Sequence, residues 1–562
     1  MKKKILRFLF FLLLLASGQA FAEGQTKKPG EFVEKVVLFT DRSIYIVGEQ
    51  VHFFTTLFTD DSSEFEQSQI LYCELITHEG NKISGNKYLI SQLSAEGCIA
   101  IPADLLTGTY YLRAYTRVMR NYGPESYEYQ QIRIINTGRG EVLAGDDHEK
   151  TDREHTKHTY ADEKNNLLSV SIEKSAYTPR DTINFSVQAI SSSVTGIKSL
   201  CLSVVPEGTK SSLLFSPTLK RPTETETGHY PETRGLSLTG KLTEVSSQIP
   251  VQDKKVNLSI IGEGRDFMAV STDSSGCFFF ALPGYYGSRD LFLCAERTPS
   301  TDLKIWVDND FCTLPVSLPV PVFSLTGEER QIVQNMALNV QIDSHFHDEA
   351  LKTVQDVKEA EVAFYGNPSS VLYLDQYILL PTLEEYFNEL PSPVKVRKHL
   401  GGKYFKITGP RDLSFFDPLV LIDWVAVDEP SKILAVSPQN VSRIEVVNQT
   451  YVKGGQTYGG IISIVSKKGD FAGIDLPSTG IFINYRFLTE NQCREKNDYN
   501  IPNHPDARNT LLWETRVSLQ EGKSKKFFCT APDTPGKYAV VLEGINFNGE
   551  RFSQSSVFEV KN

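Results

Sequence analysis

Residues 45–53 read Tyr45-Ile-Val-Gly-Glu-Gln-Val-His-Phe53, and 132 residues further on Tyr177-Thr-Pro-Arg-Asp-Thr-Ile-Asn-Phe185 repeats the pattern. Each copy is a turn, an acidic residue and an alternating strand. Side chains alternate across a strand, so Val51 and Phe53 face one side and His52 the other, while Ile183 and Phe185 match them with Asn184 outward. The same alternation of aromatic and β-branched residues with polar ones runs through most of the 562 residues, and long 3.6-residue stripes are scarce. The chain therefore reads as mainly β.

The N-terminus has the form of an export signal. Lys2, Lys3, Lys4 and Arg7 make a basic start, Phe8 to Ala16 is unbroken apolar, and Ala20-Phe21-Ala22 offers a small-residue cleavage site. This apolar run is far short of the ~20 residues a spanning helix needs, so no transmembrane span is expected in the mature chain. Cleavage would remove four of 58 basic residues and leave 54 against 69 acidic, a net charge of −15. Such a balance argues against nucleic acid as partner, because phosphate binding rests on a basic surface. The length left after cleavage exceeds one core, and typical domains of ~100–200 residues predict three to five. The eight cysteines show neither CxxC nor metal-ligand spacing. Export permits disulfides such as Cys73 with Cys98 or Cys493 with Cys529. Runs such as SLCLSVV and GCFFFAL favour the other reading, free thiols packed as small hydrophobes.

With Thr40-Asp41-Arg42-Ser43-Ile44-Tyr45 ahead of it and the closing strand Thr107-Gly108-Thr109-Tyr110-Tyr111-Leu112 behind, the first copy resembles the MG2 domain of the α2-macroglobulin family. The resemblance implies a seven-stranded sandwich, placed at 34–138. A flexible polar linker follows at 139–166, where charge and polarity leave too little apolar surface to offset ordering entropy. Residues 167–234 read as a second macroglobulin-like segment with an irregular insertion. At 235–306, the strands around Leu238 and Val256 and the Asp273-Ser274-Ser275-Gly276 turn before Cys277-Phe278-Phe279-Phe280 resemble the carboxypeptidase regulatory-like, transthyretin-like sandwich. Asp273 is expected to serve turn geometry there. A connector at 307–350 holds a Pro-rich extended run and a short helix from Thr326 to Met336.

Residues 351–475 carry Pro381 to Leu390, read as a helix entered through proline, the buried strand Leu419-Val-Leu-Ile-Asp423, and VSRIEVVNQTYVKGGQTYGGIISIVSKKGD from Val441 to Asp470. This part resembles the plug domain of TonB-dependent outer-membrane receptors. In that family an Asp-Gly turn commonly follows the buried strand; here Trp424 stands in the glycine's place. Only 94 residues follow Lys468, fewer than the more than ~200 that a barrel of about 22 strands would take. The expectation is a plug-like α/β module lacking the receptor β-barrel. A C-terminal β-sandwich at 476–562, with Gly536-Lys-Tyr538 echoing Gly108-Thr-Tyr110, completes a mainly β chain of several Ig-like or macroglobulin-type sandwiches in series plus the small module.

Catalytic signatures are missing. There is no GxSxG, no HExxH and no P-loop, since Gly454, Gly455, Gly459 and Gly460 lack the following Lys-Ser/Thr. No cofactor and no enzymatic activity are expected. His345-Phe346-His347, read as a strand end, would give at most half a metal site. The Cys-Gly-Glu-Gln thioester of trapping macroglobulins does not occur. The candidate binding residues are those of the plug-like hairpin: Arg443, Glu445, Tyr451, Gly454, Gly455, Tyr458, Gly459 and Gly460. Two tyrosines among glycines either offer contact area to a partner or pack across strands within a structural hairpin. The resemblances imply an exported, non-enzymatic binding or scaffold protein, periplasmic or outer-membrane associated. Its expected partner is a protein at the outer membrane, such as a receptor-type β-barrel; the alternative is a macroglobulin-like protease-binding or inhibitor protein without a thioester.

Overall fold

The computed structural model describes residues 33–59, 66–143, 157–158, 168–189, 196–210, 214–215, 228–262, 266–296, 301–320, 322–347, 363–390, 392–399, 402–490, 505–520 and 523–561. The expected signal at 1–22, most of the linker at 139–166 and Cys493 lie outside the described residues. In chain order, the first sandwich contributes β1 (Glu34–Thr40), β2 (Ile44–Ile46), β3 (Gln50–Thr59), β4 (Ile70–Ile76), β5 (Lys82–Leu89), β6 (Ser94–Ala100), β7 (Gly108–Tyr115) and β8 (Glu128–Ile135). One sheet runs β1-β3-β6; the other runs β5-β4-β7-β8, with β2 parallel to β8. The alternation fulfils its promise: Val51 and Phe53 are buried and His52 is only half-buried.

After the two-residue strand β9 (Lys157–His158) come β10 (Leu168–Ile172), β11 (Ala176–Tyr177), β12 (Thr182–Ala189) and β13 (Ile197–Pro206). The short β14 (Leu214–Phe215) then lies between β8 and β9, extending the first sandwich. The third unit supplies β15 (Ser237–Glu244), β16 (Lys255–Ile261), β17 (Phe267–Ser271), β18 (Cys277–Ala281), β19 (Ser288–Ala295) and β20 (Leu303–Val307), followed by helix α1 (Gly327–His347). An α/β module holds β21 (Ser370–Tyr373), α2 (Leu383–Glu389), β22 (Val394–His399), β23 (Gly402–Ile407), β24 (Leu419–Ile422), β25 (Val425–Ala426), α3 (Pro430–Leu434), β26 (Val441–Val447), β27 (Tyr451–Lys453), β28 (Gln456–Tyr458) and β29 (Ile461–Ser466). The chain ends with β30 (Ile481–Arg486), β31 (Leu512–Glu514), β32 (Ser524–Thr530), β33 (Gly536–Asn546) and β34 (Arg551–Val560).

The units interleave. Strands β10-β12-β32 make one sheet and β11-β34-β33-β13-β31 the other, so the segments 167–234 and 476–562, counted separately from sequence, are two halves of a second sandwich. Its order matches the first strand for strand, β10 to β13 standing for β1 to β4 and β31 to β34 for β5 to β8. Hydrogen bonds repeat as well. Arg42 N–H donates to the Tyr45 hydroxyl at 3.1 Å and Lys174 N–H to the Tyr177 hydroxyl at 3.0 Å. The hydroxyls of Tyr110 and Tyr538 donate to the carbonyls of Leu106 and Thr534, both at 2.9 Å. In the first sandwich β4 turns back into β5 through Thr77 and Gly80. In the second, β13 ends at Pro206 and its hairpin partner begins only at Leu512.

A second insertion sits inside the first. Sheets β18-β15-β20 and β17-β16-β19-β30 form the third sandwich, whose last strand belonged to the expected C-terminal unit; the α/β module lies between β20 and β30. The Asp273 carboxylate accepts from the N–H groups of Ser275 and Cys277, both at 2.8 Å, and Gly276 takes a positive φ of 72°, which confirms a turn role. One continuous apolar core joins the first sandwich to the third. Buried polar links cross the same boundary: Tyr72 donates to Glu232, Arg117 donates to Ser237, and Lys87 pairs with Asp310. Free thiols at Cys73, Cys201, Cys294, Cys312 and Cys529 are buried, as the packing alternative requires, whereas Cys277 of the GCFFFAL run is an exposed thiol on the outward side of β18, and Cys73 and Cys98 are not joined.

Helix α1 corrects the connector. Thr326 and Glu329 form a reciprocal cap, each backbone N–H donating to the other's side chain at 2.8 and 3.2 Å. Val333, Met336, Ala337 and Val340 recur at helical spacing and pack on Ile44, Ile46 and Ile135. Because the helix runs on to His347, His345 and His347 lie about 200° apart around it and share no face. No cluster of three metal-ligating side chains occurs among the described residues.

Three units meet at Asp41-Arg42. Arg42 is buried and pairs with Glu49 at 2.9 Å and Asp41 at 3.3 Å. Asp41 also accepts from the hydroxyls of Tyr45 at 2.7 Å and Thr510 at 2.6 Å. Asn509 reaches from the second sandwich to Glu49 and to the Met336 carbonyl of α1, at 2.9 and 3.1 Å. Burial alone would raise the Asp41 carboxyl's pKa, but the charges of Arg42 and His52 and the bonds from Thr510 and Tyr45 hold it below its ordinary value.

Removing one member of a buried ion pair strands the others. Arg42→Ala is expected to cost about 3–5 kcal/mol in a urea unfolding transition. A carboxyl depressed on folding contributes fully above the ordinary carboxylate range near pH 4 and loses that contribution as pH falls through its folded value. Asp41→Asn should therefore flatten the acid limb of the stability profile, read from melting temperature against pH. Deleting residues 551–561 removes β34 and should abolish amide-exchange protection in β10 to β13, while β1 to β8, which lose the Arg551 partner of buried Glu128, should keep a reduced protection, as seen by mass spectrometry.

Candidate functional site

The module's sheet runs β21-β26-β29-β24-β25, with β24 parallel to β29. A strand covered on both faces reads as a continuous apolar run, and LVLI at Leu419–Ile422 is such a strand. Val420, Ile422, Ile462 and Ile464 face the core shared with α2 and α3. Leu419, Leu421, Ala426 and Ile461 face Phe267 and Ala269 of the third sandwich. The module is thus seated against that sandwich by its second face. Lys255 and Asp428 add an ion pair at 3.6 Å across the joint.

Between β24 and β25, Asp423 and Trp424 take φ of 43° and 69°. The glycine-like turn geometry survives without glycine. Its cost, about 1–2 kcal/mol per residue, is opposed by the Asp423 carboxylate, which accepts from Ser466 N–H at 2.8 Å, Ser466 Oγ at 2.6 Å and Phe471 N–H at 2.8 Å. The start of β25 is thereby fixed to the end of β29.

The eight residues singled out from sequence separate into four pairs. Arg443 and Glu445, two apart on β26, form an ion pair at 2.5 Å, and Glu445 accepts from the Tyr365 hydroxyl. Tyr451 and Tyr458 are paired in the β27–β28 register. Tyr451 meets Phe364 edge-on at 6.0 Å and Tyr458 meets Phe267 at 6.5 Å. Burial raises the pKa of both hydroxyls, aided at Tyr458 by Asp428 and Glu296 and at Tyr451 by Asp266. Gly459 and Gly460 carry the chain into β29, where a Cβ would strike the carbonyls of Phe416 and Val447.

The turn of the hairpin is Gly454-Gly455, both at positive φ, 59° and 77°, as a two-residue hairpin with the strands' own twist requires. It points at β17. A Cβ on Gly454 would overlap the Ala269 carbonyl, while one on Gly455 would meet open space. Lys453 pairs with Asp266 at 3.2 Å and Gln456 donates to Ser271 Oγ at 3.1 Å. Of the two roles open to these tyrosines and glycines, the geometry is that of the structural hairpin: a clasp onto the third sandwich. No local pattern signals this contact, because Asp266 to Ser271 lie some 185 residues away from their partners.

No family model matches the chain, and no curated protein matches it. Among solved structures it is similar to Escherichia coli alpha-2-macroglobulin activated by porcine elastase, at 12% identity over 94% of this chain and 44% of that one, with a TM-score of 0.22. It is similar also to Salmonella alpha-2-macroglobulin reacted with methylamine, at 10% identity over 94% and 39%, with a TM-score of 0.23. A third, dimeric latent PorU from Porphyromonas gingivalis, gives 12% identity over 51% and 34% with a TM-score of 0.15. The chain spans less than half the length of the solved macroglobulins it matches.

The clasp makes opposite demands on adjacent glycines. Gly455→Ala should cost about 1 kcal/mol, the ordinary penalty of a side chain at positive φ. Gly454→Ala adds a backbone collision and should cost more than ~2 kcal/mol, with the larger fall in melting temperature and new protease sensitivity at 451–458.

Proposed function

We propose that this protein is an exported, non-catalytic binding protein of the cell envelope. Macroglobulin-type sandwiches form its frame, and the α/β module, which resembles a receptor plug, is the part that meets a protein partner at the outer membrane. The carrying observation is the module's edge strand β21. It pairs with β26 along one side, and among the described residues no strand pairs with its other side. Val371 and Tyr373 are exposed there. An unpaired edge accepts an added strand through main-chain hydrogen bonds, and alternate side chains supply specificity. Since β27–β28 is engaged within the molecule, β21 replaces it as the contact surface in this reading.

Affinity purification of the mature chain from outer membranes in mild detergent tests the proposal. A receptor-type barrel should co-purify, and it should be lost from the Val371→Lys, Tyr373→Lys double variant, whose exposed substitutions leave the melting temperature within about 1 °C. A monodisperse protein that brings down no barrel, or a barrel retained by the double variant, overturns it.

A further inference from the structure

The hairpin of β22 and β23 concentrates positive charge on an acidic chain. Residues 394–407 hold five Lys and Arg, one His and no Asp or Glu, against a formal net charge of −11. The register sets Lys395 opposite Lys406 and Lys398 opposite Lys403. Like charges directly opposite one another are destabilising, and this ribbon carries two such pairs. Val394, Phe405 and Ile407 turn into the module's core, while Arg397, Lys398, His399, Tyr404 and Lys406 are exposed. Two of the lysines are committed: Lys403 pairs with Glu384 of α2, and Lys395 donates to the Phe387 carbonyl at 3.3 Å. Arg397, Lys398 and Lys406 enter no ion pair among the described residues.

Helix α2 also holds a protruding apolar turn. The Tyr386 hydroxyl accepts from Leu380 N–H at 3.3 Å and donates to the Ile378 carbonyl at 3.4 Å, which ties 378–380 to the helix that anchors Lys395 and Lys403. Ile378 is 87% exposed and Leu379 57%. Consecutive aliphatic side chains at this exposure bury little apolar area and so stabilise the isolated fold little. Tied to the same short helix as a basic ribbon, they have the form of an interfacial anchor, in which aliphatic side chains enter the acyl boundary and cations meet anionic headgroups.

We propose that the β22–β23 ribbon and the Ile378-Leu379 turn together dock the protein on an anionic lipid bilayer. Charge complementarity selects the surface, and the projecting aliphatics favour a bilayer over an acidic protein, which would need a pocket to receive them. The inference does not rest on the β21 reading, since it uses different residues of the module.

Vesicle flotation of the mature chain tests it, with phosphatidylcholine alone or mixed with phosphatidylglycerol. The protein should float with the mixed vesicles only, and added salt should release it. Arg397→Glu with Lys398→Glu, and separately Arg397→Gln with Lys398→Gln, should weaken binding by about tenfold or more and by a smaller factor respectively. Ile378→Asp with Leu379→Asp should weaken it as well. Lys525→Glu with Lys526→Glu on β32 should leave it unchanged. Failure to float with anionic vesicles, equal flotation with neutral ones, or insensitivity to the ribbon substitutions overturns the proposal. So does binding of soluble polyglutamate through the ribbon without vesicle binding, an outcome that would identify an acidic protein as the occupant.

Discussion

Strand β13 is the constraint on which the molecule's organisation turns. It lies between β33 and β31, neither of which exists until more than three hundred residues after it in the chain, and its register with β33 runs from Ile197 opposite Asn546 to Pro206 opposite Tyr538. Everything from Pro206 to Leu512 must fit inside one hairpin connection. Were the insertion a flexible loop, closing it would cost only about 3–4 kcal/mol more than closing a five-residue one, because the entropy grows with the logarithm of length. A folded insertion whose ends lie close together costs less still. The long-range pairing is therefore thermodynamically cheap, and the Asp41-Arg42 junction, with Thr510 and Asn509 reaching into it, fixes where the returning chain lands.

Nesting also explains why the sandwiches do not behave as independent beads. The first and third share one apolar core, with Glu232, Asp310 and Arg117 filling its polar margin. Buried charges are stable only where partners are supplied. These partners come from different units, so separating the sandwiches would expose apolar surface and strand charges together. The α/β module is attached similarly, by the apolar contact of Leu419 and Leu421 with Phe267 and by the hairpin at Gly454.

Local features of this architecture were legible in the sequence and non-local ones were not. Tyr45 to Phe53 and Tyr177 to Phe185 announced two related sandwiches, because period-two burial and a tyrosine turn are encoded within ten residues. The closing strands at Gly108 and Gly536 were visible for the same reason. That Gly536 closes the sandwich opened at Leu168 leaves no mark, since cross-strand pairing at such separation depends on which surface is vacant. Helix α1 was foreshortened although Val333, Met336, Ala337 and Val340 carried its period; reading His345 and His347 as a strand end ignored the continuing stripe. At the candidate site, the glycines and tyrosines of 451–460 carry the local signal of a hairpin, yet what the hairpin touches leaves no mark within that stretch. Trp424 marks the opposite case, where a residue standing in a glycine's place proves compatible with the turn because the neighbouring Asp423 carboxylate accepts three hydrogen bonds.

The split second sandwich has a consequence for biogenesis. During synthesis at about 5–20 residues per second, β10 to β13 wait for roughly 15 to 60 s before their partners emerge. For that interval the strands present open edges, the template for wrong pairing. A polypeptide interrupted anywhere downstream leaves them uncovered for good, so quality-control proteases would find unfinished copies by their bare hairpin half, and arrival of the final strand acts as a seal of completeness.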